Sequence, residues 1–143
     1  IYDFTWSEFC DWYIEMSKGR MDDPAARPVA QRVLVGVLDG ILRLVHPVMP
    51  FVAESLWQAL NEAAPVRGLP TPTAAEESVV IAKWPAYPTA WPSPDIETRF
   101  ARMQELVRSV REIRNRYQVE PRTKLDLTVK CADSVGDDFR ALQ

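Results

Sequence analysis

One histidine, two cysteines and five glycines are all that this 143-residue chain offers toward the usual enzyme sites. A zinc centre needs about four clustered thiolate or imidazole ligands. Cys10, Cys131 and His46 cannot supply them. A nucleophile pair of His46 with a cysteine is excluded on position: Cys10 lies on an apolar helical face, and His46 stands directly before a proline. With glycine so scarce there is no G-x-x-x-x-G-K-[S/T] loop and no G-x-G-x-x-G turn to cradle phosphates. Nor is there a serine elbow of the G-x-S-x-G kind. Apolar runs are short, none approaching the ~20 residues of a membrane span. The first thirteen residues are acidic and aromatic, unlike a secretory or transit signal. These absences argue against a membrane partner, a metal centre and catalysis by this chain, and they imply a cytoplasmic protein.

Proline, by contrast, is abundant. Seven of the 12 prolines fall between Pro65 and Pro94, which punctuates the middle of the chain. Charge is uneven too. The formal net charge is −3, yet residues 99–124 carry eight Lys and Arg against three Glu, and the remainder is strongly acidic. A basic segment on an acidic body fits a polyanion partner, and it also fits a solvated helix face.

The apolar periodicity predicts a mainly α fold, an antiparallel bundle of at least four helices. Tyr2, Trp6, Phe9, Tyr13 and Met16 recur at helical spacing, so residues 1–18 read as one amphipathic helix that starts without a cap, as though inside a longer protein. A second helix is expected over 26–45, where Gly36 and Gly40 clear one face for close contact with another helix. Pro47 and Pro50 force a corner, and a third helix follows to about Ala63. Residues 64–78 read as a solvent loop whose deletion over 66–76 is tolerated, 79–82 as a short extended run, and 85–94 as a proline-stiffened connection. Ser93-Pro94 supplies a cap and a first-turn proline for a fourth helix reaching about Gln118. Leu125, Leu127, Val129 and Cys131 then alternate with polar residues as a half-buried strand, and a further helix opens at 134. The expected domains are 1–121, helical, and 122–143, the start of a small α/β module.

On the fourth helix, Gln104, Arg108, Arg111 and Asn115 share one flank within about 60° of arc and about 16 Å of length. They are the candidate contacts to a polyanion, with a solvated surface as the alternative for Arg108 and Arg111, because guanidinium forks bind phosphates and pack on base planes. Arg114 falls inside the apolar stripe and is expected as an internal ion-pair partner, with an acid of the first helix as its mate.

Four segments, in order, carry a resemblance. Phe9-Cys10-Asp11-Trp12-Tyr13, then His46-Pro47-x-x-Pro50-Phe51-x-x-Glu54-x-x-Trp57, then Ser78 through Trp84-Pro85, then Val110-Arg111-Glu112-Ile113-Arg114 with Tyr117 to Pro121, are similar to the anticodon-binding domain of the valyl-tRNA synthetase family. The second motif is shared by the isoleucyl, leucyl and methionyl branches, and the first is more particular to the valyl one. Glu112 and Gln118 depart from the family pattern, which has Asn at both. Met16-Ser17-Lys18 resembles part of that family's ATP-binding loop, but at a helix end and without its flanking residues.

The resemblance implies a domain that binds the tRNA anticodon stem-loop and uses no cofactor itself, with no DNA partner. The full-length enzyme would use ATP, with Mg, to attach valine to its tRNA, and this chain alone would be inactive. His46, Pro47, Pro50 and Phe51 would fix the corner between two helices, while Trp57, with Trp12 and Trp84, would pack in the core or at its edge. The competing readings are the isoleucyl branch and a helical docking module that binds protein rather than RNA.

Overall fold

The computed structural model describes residues 1–120 and 122–140; Pro121, and residues 141–143 of the expected last helix, lie outside them. The described chain is mostly helical and separates into two compact units, Ile1–Pro88 and Thr89–Gln143. The division falls inside the proline-stiffened connection and leaves the fourth helix in the same unit as residues 122–140.

The first unit opens on a π-helical stretch, Phe4–Ile14, which runs directly into helix α1, Glu15–Asp22. The sequence pattern predicts one α-helix here, and the wider π winding changes which side chains meet the core. Thr5, Phe9, Tyr13 and Ser17, four apart, are buried or half-buried, whereas Tyr2, Trp6 and Met16 stand in solvent. The Ser17 hydroxyl donates to the Tyr13 carbonyl at 2.6 Å, and Lys18 pairs with Glu15 at 2.7 Å. The Met-Ser-Lys triplet is thus fully accounted for as helix.

Helix α2, Arg27–Val45, takes Pro28 in its first turn, and helix α3, Pro50–Ala63, begins on Pro50 itself. Between them the N–H groups of Val48 and Met49 both donate to the Val45 carbonyl at 2.9 Å, so the corner is closed by backbone bonds as well as by prolines. His46 is the half-buried C-cap of α2. Pro47 is exposed, and Phe51 points outward at 89% exposure, which corrects the expectation that its ring helps fix the corner. The inner face of α3 supplies Ala53, Trp57 and Leu60, which form the core with Leu42 of α2 and with Val79.

Val79 is the first sign that the middle of the chain is not a solvent loop. Residues 79–82 form a turn rather than an extended run, and two residues of α3 hold the chain leading into it. The Glu54 carboxylate accepts from the Ser78 hydroxyl at 2.8 Å and the Val79 N–H at 3.1 Å. The Trp57 indole N–H donates to the Glu76 carbonyl at 2.9 Å. Before that turn, strands β1, Val66–Arg67, and β2, Thr73–Ala74, pair antiparallel with Val66 opposite Ala74.

Arg67 at this hairpin is only 4% exposed. Its Nε lies 2.8 Å from the buried Asp39 of α2, its Nη1 donates to the Ala64 carbonyl at 2.9 Å, and its guanidinium lies 4.2 Å over the Trp57 ring. Arg43 completes the cluster, with Nε 2.7 Å from Asp39 and Nη1 donating to the Lys83 carbonyl at 2.9 Å. The cleared glycine face of α2 has the same partners: a methyl at Gly36 would overlap Leu69, and one at Gly40 would overlap the Tyr87 hydroxyl. The two glycines therefore admit the hairpin and the 84–87 segment, not another helix. Burial and the nearby Asp39 raise the Tyr87 phenol above its ordinary range, so it stays protonated.

In the second unit, helix α4 runs Pro94–Arg116. Ser93 occupies the cap position with extended backbone but makes no side-chain cap bond. At the other end the Gln118 N–H donates to the Asn115 carbonyl at 3.2 Å and the Val119 N–H to the Arg114 carbonyl at 2.9 Å. That is the Schellman pattern, which places the residue after the cap in the left-handed region. Gln118 is that residue, at φ 52°. A side chain there is strained where glycine or asparagine is not. Gln118→Gly should accordingly raise stability by about 1 kcal/mol, read as a higher midpoint in thermal unfolding; an unchanged or lower midpoint would show that the turn carries no such strain.

Helix α5, Asp133–Arg140, is tied to α4 through Asp138, whose carboxylate lies 2.8 Å from Arg99 and 2.6 Å from Arg102. Residues 125–131 do not form the expected strand, and Leu125, Leu127 and Val129 are exposed. The alternation is present, but a strand needs a partner and none of the described residues provides one. No described helix is long and apolar enough to cross a membrane.

Candidate nucleic-acid interface

The C-terminal end of α4 gathers hydrogen-bonding side chains around one concavity. Arg111, Arg114 and Asn115 from its last turns, with Gln118, Val119 and Glu120 from the segment that folds back, line a cavity of about 650 Å³. Two guanidinium groups face one carboxylate, so the mouth is net positive. A helix C-terminus presents carbonyl oxygens and partial negative charge, and the last-turn Arg114 and Arg116 offset it. The result is a concave site with fork-shaped donors, amides that both donate and accept, and one apolar wall at Val119. Such a set can hold a phosphate and also read the edge of an unstacked base.

Of the four flank residues singled out by helical phase, the structure brings Arg111 and Asn115 into this cavity. Arg108 is exposed one turn earlier. Gln104 is buried, 7% exposed, and cannot face a partner. Phase gives a side chain's direction, not its depth: at that level the covered strip of α4 is wider than its apolar residues alone. Arg114 is half-buried, and its Nη2 donates to the carbonyls of Glu120 at 2.6 Å and Thr123 at 3.0 Å. The expectation named an acid of the first helix as its mate; the acceptors described include two backbone carbonyls beyond the end of α4.

Gln118, Val119 and Glu120 were not among the residues that helical phase selects, because they lie past the helix. The signal available for Gln118 was its departure from the family's asparagine. Its Nε2 donates to the Asn115 carbonyl at 2.8 Å, which shapes the cavity floor. Among the aromatic candidates, Trp57 is fully buried, Trp12 half-buried and Trp84 exposed.

Two carboxylates of the first unit are committed to internal contacts. Asp39 is occupied by Arg43 and Arg67. The Glu54 carboxyl is held below its ordinary range by the Gln58 amide, against some desolvation, with the Ser78 hydroxyl and Val79 N–H assisting. Among the described residues, no group of three or more His, Cys, Asp or Glu side chains is placed to hold a metal ion.

Residues 1–129 match the family described as the anticodon-binding domain of tRNA ligase, and the chain belongs to that family. It is 38% identical over 134 residues, 94% of this chain, to a valine–tRNA ligase of Rhodopirellula baltica, of which it spans 13%. It is 42% identical over 130 residues, 91% of this chain, to that of Thermotoga maritima, spanning 14%. The enzyme of Nocardia farcinica shares 37% over 142 residues, 99% of this chain and 14% of its own length.

Proposed function

We propose that this chain is the part of a cytoplasmic valine–tRNA ligase that binds the anticodon stem-loop of the valine tRNA. Catalysis, with valine, ATP and Mg, belongs to parts of the enzyme outside this chain. The observation that carries the reading is the cavity at the end of α4, in which Arg111 and Asn115 meet inside the family-matched region. An RNA stem is read mostly by shape and phosphate, and its loop through unstacked bases. A site with charged forks, amides and one apolar wall answers both needs.

The double variant Arg108→Ala with Arg111→Ala tests it. Binding of a valine-tRNA anticodon stem-loop, followed by fluorescence anisotropy across a salt series, should weaken. The slope of log K against log salt should shrink by about one per lost phosphate contact. Melting should be unaltered, since both side chains are exposed. Unchanged affinity and slope would remove the RNA reading. An apolar protein-docking module, the competing reading, would show little salt dependence from the outset.

A further inference from the structure

We infer that Arg114 is a positioning residue for the RNA site: it closes the 119–123 segment against α4 and so builds one wall of the cavity, without contributing a phosphate contact. The inference rests on the RNA reading of that cavity. Residue 114 holds the segment twice. Its backbone carbonyl accepts from the Val119 N–H at 2.9 Å, and its side-chain Nη2 reaches past the helix end to the carbonyls of Glu120 and Thr123.

Nη2 carries two hydrogens, and these two acceptors use both. The planar guanidinium suits this task, since its delocalised plane fixes the directions of the two Nη2 hydrogens, whereas an ammonium's donors rotate freely. The other bond seen within the segment, Thr123 N–H to the Glu120 carbonyl at 3.0 Å, closes a local turn and does not tie it to the helix. Val119 and Glu120 line the cavity with Arg111 and Asn115 across from them. Without the side-chain clamp, Val119 keeps its backbone bond but Glu120 is no longer tied to the helix end, and a loop base loses part of one side of its site while every other basic residue remains in place.

A wall and a phosphate contact differ in one measurable respect. Removing a phosphate contact lowers the salt slope, by about 0.7–0.9 for each. Removing a wall lowers affinity at every salt concentration and leaves the slope alone. The experiment uses the chain as it stands, with Arg114→Ala and Arg114→Lys, the anticodon stem-loop as probe, and hydrogen exchange of the Glu120, Arg122 and Thr123 amides on the RNA-free protein. Expected are a roughly tenfold weaker Kd for both variants, an unchanged salt slope, and faster exchange in that segment. A slope lowered by Arg114→Ala and kept by Arg114→Lys would overturn the inference by making Arg114 a charge contact. So would wild-type affinity in both variants. If the unsubstituted chain does not bind the stem-loop, the RNA reading falls and this inference with it, whereas binding with wild-type behaviour at position 114 defeats the inference alone.

Discussion

Asp39→Ala should cost the first unit about 3–5 kcal/mol, the range for breaking a buried ion pair by removing one partner. The variant deletes the carboxylate shared by Arg67 at 2.8 Å and Arg43 at 2.7 Å. Arg43 is partly open to water and can rehydrate, but the Arg67 side chain is 2% exposed and cannot. It would keep the Ala64 carbonyl and the Trp57 ring, neither of which carries a full negative charge. One kcal/mol shifts the midpoint of a domain this size by about 4–8 °C, so calorimetry should find the unit melting at least 12 °C lower. Asp39→Leu combined with Arg67→Met should recover much of the loss, because a well-packed apolar replacement of a buried pair is often neutral or stabilising. A single variant that melts within about 4 °C of wild type would mean that Asp39 is not a keystone of this unit.

Trp57→Ala is the second large effect, expected at about 3–5 kcal/mol for a buried aromatic truncated in a core. Trp57 is 0% exposed, packs with Leu42, Ala53, Leu60 and Val79, and sits under Arg67 at 4.2 Å and Arg43 at 5.1 Å. Its N–H also fastens the Glu76 carbonyl. Trp57→Phe separates these roles, keeping a ring while losing the N–H bond. It should lose about 1–2 kcal/mol, in line with a hydrogen bond removed plus a small void. Urea titration would show both as falls in midpoint at constant m. Equal losses for the two variants would place the whole effect in the indole N–H.

Helices α2, α3 and α4 were legible within a residue or two, because prolines mark their starts and apolar residues repeat along them. What was not legible is the middle of the chain. Between Pro65 and Pro88 the sequence shows prolines, threonines and acids, the composition of a solvent loop, yet its contribution comes from single residues. Arg67, Leu69, Val79 and Tyr87 each meet a prepared place on α2 or α3. No periodicity announces such contacts, and an arginine in a loop gives no hint of an aspartate twenty-eight residues earlier. The tolerance expected for deleting 66–76 is therefore withdrawn, since the deletion would remove the partner of Asp39 and the acceptor of the Trp57 N–H.

The same distinction applies to the candidate site. Arg111 and Asn115 follow from helical phase, while Gln118, Val119 and Glu120 depend on how the chain leaves α4. The opening π winding was hidden for a related reason: its aromatic spacing suits an α-helix as well, so composition alone does not choose between them.

The way the 66–87 segment is fastened also orders events in time. Helices α2 and α3 are neighbours joined by a four-residue corner, so their pairing closes a short loop. Arg67 must find Asp39 across 28 residues, and Arg43 the Lys83 carbonyl across 40. Contacts at such separation form late, after the helical pair has given them a surface. Late contacts act on the rate of escape from the native state and hardly on the rate of entry. In stopped-flow mixing, the Asp39→Ala chain should refold nearly as fast as wild type and unfold roughly a hundred to several thousand times faster, so the segment works as a latch that sets how long the folded domain lasts.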